Sequence, residues 1–217
     1  MRINSGQKYK SIEELAVYLE EKLKGALPGI KSQLKLSPHP PTSTLSLKEA
    51  AQQCLKGAVL LLLYPRKESI HLVLIRRSSN VRLHQNQISF PGGQMEKNES
   101  KEKAALREAR EELGLEADNL KVLGYLTPLY VQTSNYCIFP VVAITSNKPV
   151  FEPSPQEVAE IIEVPLEHFL DPRNLCFEVR QLRGKSTLVP FFSYNQHQIW
   201  GATAMILSEF LDILKGN

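Results

Sequence analysis

From residue 57 onward, apolar positions come in short runs separated by polar turns, the pattern of strands rather than of long helices. Seven segments read as strands: Ala58 to Tyr64, Ile70 to Arg76, Lys121 to Thr127, Tyr136 to Thr145, Val158 to Val164, Phe177 to Leu182 and Thr187 to Tyr194. Helical spacing interrupts them twice. Ala105, Leu106, Ala109 and Leu113 form one apolar stripe, and a C-terminal helix begins at about Thr203. Asn98 or Ser100 suits the start of the first of these helices, and Gly114 its left-handed stop. Nearer the N-terminus, Ser11 and Glu14 form a capping box for a helix running to about Lys24, and Ser46 with Glu49 repeats the device. Between them, residues 26–45 contain Pro28, Pro38, Pro40 and Pro41, so an extended connector is expected there. The chain therefore reads as α/β, with residues 1–56 an N-terminal helical extension packed on the core and residues 57–217 the main domain.

The helix near residue 110 carries the chemistry. Glu108, Glu111 and Glu112 are related by steps of three and four, so they project from one face and repel one another by a few tenths of a kcal/mol per pair. A hard divalent cation relieves that repulsion. Just upstream, Pro91, Gly92 and Gly93 make a turn that lets backbone carbonyls and amides approach a ligand closely. A diphosphate is a natural substrate for such a cluster, because its attacking and leaving oxygens both gain from a bound metal.

Counted from Gly93, the chain places Glu99, Arg107, Glu108, Ala109, Glu111, Glu112, Gly114 and Leu115 in the spacing G-x5-E-x7-R-E-U-x-E-E-x-G-U. This resembles the Nudix box over 23 residues, with the small Ala109 at one apolar place. The resemblance implies a Nudix-type α/β/α sandwich with a mixed sheet, in which the box helix and the C-terminal helix cover opposite faces. It also implies a loop-helix-loop that binds Mg²⁺ or Mn²⁺ and directs water onto a phosphorus. Glu108 and Glu112 then stand as principal metal ligands, Glu111 as a further ligand or the water-activating base, and the Gly92 carbonyl as a backbone ligand. Arg107 belongs to the same centre through an ion pair with Glu99 that fixes the loop against the helix.

The segment VLIRRSSNVRLHQNQISFPGG, residues 73–93, is similar to the signature of the coenzyme A pyrophosphatases within that family, with Arg77, Ser78, Arg82, Phe90, Pro91, Gly92 and Gly93 aligned. Ile75 and Asn86 depart from it, standing where the pattern has Thr and Gly. The similarity implies a substrate site at Arg76, Arg77, Arg82 and Phe90, taking a nucleoside diphosphate such as coenzyme A with its 3′-phosphate. Guanidinium forks match phosphate geometry well. ADP-ribose or NADH as substrate, or a binding module that has lost turnover, are the alternatives. The tail IWGATAMILSEFLDIL is similar to the closing strand and helix of the same group, and Glu157 and Glu160 lie on a segment that approaches the active site in homologous folds.

Composition narrows the remainder. With 217 residues and no repeat, one compact unit is expected. A net charge of +3 with both signs abundant argues against a dedicated nucleic-acid surface. No secretory signal opens the chain, and the longest apolar run, residues 58–64, is far too short to span a membrane, so a soluble cytoplasmic protein is expected. Cys54, Cys137 and Cys176 lack zinc-ligand spacing and read as reduced thiols. A homodimer is a further expectation.

Overall fold

The computed structural model describes residues 9, 11–38, 53–79 and 86–216. The second capping box, Ser46 with Glu49, lies outside them, as do Arg82 and His84. The first helix, α1 (Ile12–Lys22), starts where expected: the N–H of Glu14 donates to Ser11 Oγ at 3.2 Å. A short helix, α2 (Ile30–Gln33), and a 3₁₀ turn at Leu34–Leu36 then occupy part of the supposed extended connector. That expectation is corrected, and the cause is tertiary. Gly29 turns the chain at φ 71°, and the Gln33 amide donates to Thr127 O at 2.7 Å and to the buried Glu209 carboxylate at 2.8 Å. Neither partner is local in sequence, so spacing alone does not announce the helix.

The main sheet is mixed. Strand β1 (Leu55–Arg66) runs antiparallel to β2 (Ser69–Arg77) and parallel to β7 (Tyr136–Ile144). Short strands β3 (Ile88–Ser89) and β4 (Gly92–Gln94) pair with β2 and β1. On the other side, β5 (Lys121–Tyr125) and β6 (Leu129–Val131) both pair with β7, while β8 (Val158–Pro165) extends β2. The central path is β3-β2-β1-β7-β5. After helix α4 (Leu166–Leu170), a second sheet is built from β9 (Leu175–Leu182), β10 (Lys185–Tyr194) and β11 (His197–Trp200). The chain closes with α5 (Ala202–Lys215).

Because side chains alternate along a strand, the main sheet feeds two cores. Leu61, Leu63, Leu72 and Leu74 point to one face, where they join Leu15 and Leu19 of α1 and Leu207, Phe210 and Leu214 of α5. Leu60, Leu62, Tyr64 and Val73 point to the other, against Ala105, Ala109 and Leu113 of helix α3 (Lys101–Leu113). The result is the expected α/β/α sandwich on a mixed sheet. No described helix is long and apolar enough to cross a membrane.

The cysteine reading is also corrected: Cys54 and Cys137 form a disulfide, leaving Cys176 free. Parallel pairing sets Leu55 beside Tyr136 and Lys56 beside Cys137, which brings two residues 83 apart in sequence to a Cα separation of 5.8 Å.

Candidate active site

Helix α3 is held at both ends. Ser100 Oγ accepts from the N–H of Lys103, and Gly114 ends the helix in the left-handed conformation at φ 69°. Of the expected apolar stripe, Ala105, Ala109 and Leu113 are buried, with Ala104, and Leu106 is half-buried. The acidic positions do not all lie on the wet side. Glu111 is exposed, Glu108 is partly covered, and Glu112 is 0% exposed.

What covers Glu112 is the turn between β3 and α3. The Gly92 N–H donates to Glu112 Oε2 at 2.8 Å, and Arg77 Nη1, at the end of β2, donates to Glu112 Oε1 at 3.0 Å. Both glycines of the turn are required by closeness. Gly92 sits at φ 152°, and a Cβ there would press on Ala58 O and Val59 Cα of β1; a Cβ at Gly93 would collide with the Glu108 carboxylate.

Arg107 organises the outer half. Its Nε and Nη2 grip both oxygens of Glu99 at 2.9 and 3.1 Å, and Nη2 also donates to Gln94 O at 3.0 Å. Glu99 in turn accepts from the N–H of Glu96 at 2.9 Å. This ties the loop to the helix, the role expected of the Glu99–Arg107 pair. The same guanidinium reaches further, with Nη1 donating to Glu108 Oε1 at 2.8 Å and to Glu111 Oε2 at 3.0 Å.

The electrostatics divide along the same line. Arg107 holds the Glu99 carboxyl below its ordinary value. Burial raises Glu108 despite Arg107. Glu112 is pushed up to about 8, chiefly by burial, with Glu108 and Glu157 adding repulsion that the Gly92 N–H and Arg77 only partly offset. Glu157 thus bears on both inner acids. Its own carbonyl accepts from the N–H of Ser78 at 2.8 Å, which joins the loop before β8 to the end of β2.

Among the described residues, no three acidic, His or Cys side chains converge into a ready-made metal cage. The donors nevertheless suit a hard divalent cation. They are all oxygen, they crowd negative charge on one stretch of helix, and the buried member resists ionisation chiefly through burial and secondarily through neighbouring acids, an opposition that a bound cation would offset. Glu108, Glu111 and Glu112 are the side chains able to hold it, with the Gly92 carbonyl within the same turn. Such an ion supplies Lewis acidity toward a phosphoryl oxygen and lowers the pKa of bound water.

Of the residues expected at the substrate, Arg76 and Arg77 are neighbours at the end of β2 but turn to opposite faces of the sheet. Arg77 faces Glu112, while Arg76 Nε donates to Glu160 Oε2 at 3.0 Å. The register of β2 on β8 places Arg76 opposite Glu160, which also meets His197 at 3.1 Å. Arg82 lies outside the described residues. Phe90, expected at the ligand, is 2% exposed and packs in the core shared with α1 and α5. Sequence reading did not find the Glu112 cradle, because it needs the β1–β4 pairing that presents Gly92 to the helix.

A carboxylate-bearing helix lying under a Gly-Gly turn, with guanidinium groups beside the acids, suits a hydrolase of phosphate-bearing substrates that works with a divalent cation. Residues 55–182 match the family model described as NUDIX domain. A protein of Photorhabdus laumondii named Uncharacterized Nudix hydrolase NudL is 38% identical over 139 residues, 64% of this chain and 74% of that protein. A protein of the same name from Pectobacterium atrosepticum is 37% identical over 141 residues, 64% and 72% of the two chains. Nudix hydrolase 22, chloroplastic, of Arabidopsis thaliana is 34% identical over 160 residues, 70% of this chain and 53% of that protein, so the chain spans about half of this plant relative. The chain belongs to the Nudix family and is a diphosphate hydrolase. Enzymes of this family use divalent metal ions such as Mg²⁺ or Mn²⁺.

Proposed function

We propose that the protein hydrolyses the diphosphate of coenzyme A or its derivatives, with Mg²⁺ or Mn²⁺, to 3′,5′-ADP and 4′-phosphopantetheine. Water adds to one phosphorus, the bridging P–O bond breaks, and the leaving phosphate departs on the other half of the molecule. Glu108 and Glu112 hold the metal, Glu111 serves as a further ligand or accepts the proton of the attacking water, and the Gly92 carbonyl completes the backbone side. Arg107 keeps the loop and the outer acids in place.

The observation that carries this reading is Arg77 at the end of β2, bonded to Glu112 itself. A diphosphate bound at the metal then lies beside the Arg77 guanidinium, whose fork suits a phosphate oxygen. The residues that resemble the coenzyme A signature include the arginines Arg77 and Arg82 and the Pro91-Gly92-Gly93 turn.

Comparing coenzyme A with dephospho-coenzyme A tests it. If the arginines read the 3′-phosphate, its removal lowers kcat/KM at least about tenfold, equivalent to about 1.4 kcal/mol. Equal turnover of both, with ADP-ribose as good as either, would leave a diphosphate hydrolase without this specificity.

A further inference from the structure

The hairpin of β9 and β10 stands apart from the acids and has an unusual outer edge. Its turn is the two-residue pair Arg183-Gly184, both at positive φ, 52° and 75°, which suits the twist of a tight hairpin. Leu182 and Lys185 flank that turn as partners, so hydrogen-bonded pairs recur at Arg180 with Thr187, Glu178 with Val189 and Cys176 with Phe191. The alternate residues Leu175, Phe177, Val179 and Gln181 therefore turn their N–H and C=O groups away from β10. In the sheet order β11-β10-β9, that side is the edge, and among the described residues nothing pairs with it.

Such an edge is ordinarily blunted by inward charges, proline or a bulge. Here it is flanked by apolar side chains instead. Phe177 is 58% exposed, Val179 66% and Leu188 57%. Val179 and Leu188 are cross-strand partners and Phe177 is two residues along, so all three share one face. The opposite face carries Glu178 and Arg180, paired at 2.9 Å, with Arg180 laid over the rings of Phe191 and Trp200.

We propose that β9 pairs antiparallel with β9 of a second copy of this chain about a two-fold axis at Val179, joining two three-stranded sheets into one of six. In this register the outward N–H and C=O groups of Phe177, Val179 and Gln181 meet those of Gln181, Val179 and Phe177 of the other copy. Glu178 of each copy then opposes Arg180 of the other, and Leu188, Val179, Val179 and Leu188 form one apolar row across the seam. The charges single out this register. Moving the axis by one residue keeps the backbone bonds but sets Glu178 against Glu178, or Arg180 against Arg180, and like charges directly opposed are destabilising. That self-complementarity points to a second copy rather than to an unrelated strand.

Sedimentation of the full chain between roughly 1 and 200 μM tests it, since a single-strand seam is smaller than a standard interface of about 800 Å² per partner and should dissociate on dilution. A concentration-dependent dimer is expected. Val179→Pro removes only an outward N–H, which an edge strand tolerates, and should weaken the dimer at least about tenfold with an unchanged melting temperature. Glu178→Arg alone and Arg180→Glu alone should each be monomeric, whereas an equimolar mixture of the two should form a heterodimer, because every cross-seam pair again joins opposite charges. A chain that stays monomeric throughout, or a dimer indifferent to Val179→Pro and to the charge changes, overturns the proposal.

Discussion

Replacing Glu112 by Gln should push function and stability in opposite directions. The side chain is fully buried, and its carboxyl is lifted from 4.5 to about 8. For an acid this shift means that the folded chain without metal resists ionisation. Its stability therefore falls as pH rises from about 4.5 toward 8, the unfolded state having already released its proton. At about 1.36 kcal/mol per unit the ceiling is about 4–5 kcal/mol, and relaxation plus the remaining bonds from Arg77 and Gly92 should leave roughly 1–3 kcal/mol. Gln fills the same volume and never ionises. In chelator at pH 8.5 the variant should thus melt a few degrees above the parent, and the difference should shrink toward pH 5. Divalent metal should reverse the order, because it stabilises the parent by mass action and finds no carboxylate at position 112 in the variant. Turnover of the variant should fall by about 10²–10⁴, the equivalent of losing several kcal/mol of metal-borne stabilisation. Thermal melts at both pH values, with and without Mg²⁺, read all of this together. A variant that keeps its turnover, or that is less stable than the parent in chelator at pH 8.5, would refute the reasoning.

Other consequences follow from the same geometry. Gly93→Ala places a methyl group where the Glu108 carboxylate lies and should lower turnover at least about tenfold by displacing that acid. Wild-type rates in that variant would show the contact to be slack. The Cys54–Cys137 disulfide closes a span of 83 residues, so its reduction should cost about 2–4 kcal/mol and lower the melting temperature by several degrees. Identical melts with and without reductant would contradict the bond. Leu19→Ala, deep in the core shared by α1 and α5, should cost about 2–5 kcal/mol in denaturant unfolding, whereas a loss below about 1 kcal/mol would make the N-terminal helix an appendage.

How far these features can be read from sequence depends on whether they are local. The seven expected strands all occur, and Ser11, Ser100 and Gly114 begin and end helices as their chemistry suggests, because caps and periodicity act within a few residues. Helical phase likewise sets Glu108, Glu111 and Glu112 on one stretch of helix. It does not reveal that Glu112 is sealed by Gly92 and paired with Arg77, since both contacts come from strand pairing at the far side of the turn. The two- and three-residue strands β3 and β4 have no period long enough to read. Helix α2 depends on Gln33 reaching Glu209, 176 residues away. The disulfide depends on the parallel register of β1 and β7, which composition and spacing do not disclose.

Which diphosphate the protein cleaves, and with which ion, is read most directly from its products. Coenzyme A, dephospho-coenzyme A, ADP-ribose and NADH should be incubated with the full chain in Mg²⁺, in Mn²⁺ and in chelator, and the products weighed by mass spectrometry. Metal-dependent appearance of 3′,5′-ADP and 4′-phosphopantetheine, fastest from coenzyme A, is the predicted result. Hydrolysis that persists in chelator, or no hydrolysis of any of the four, would contradict it.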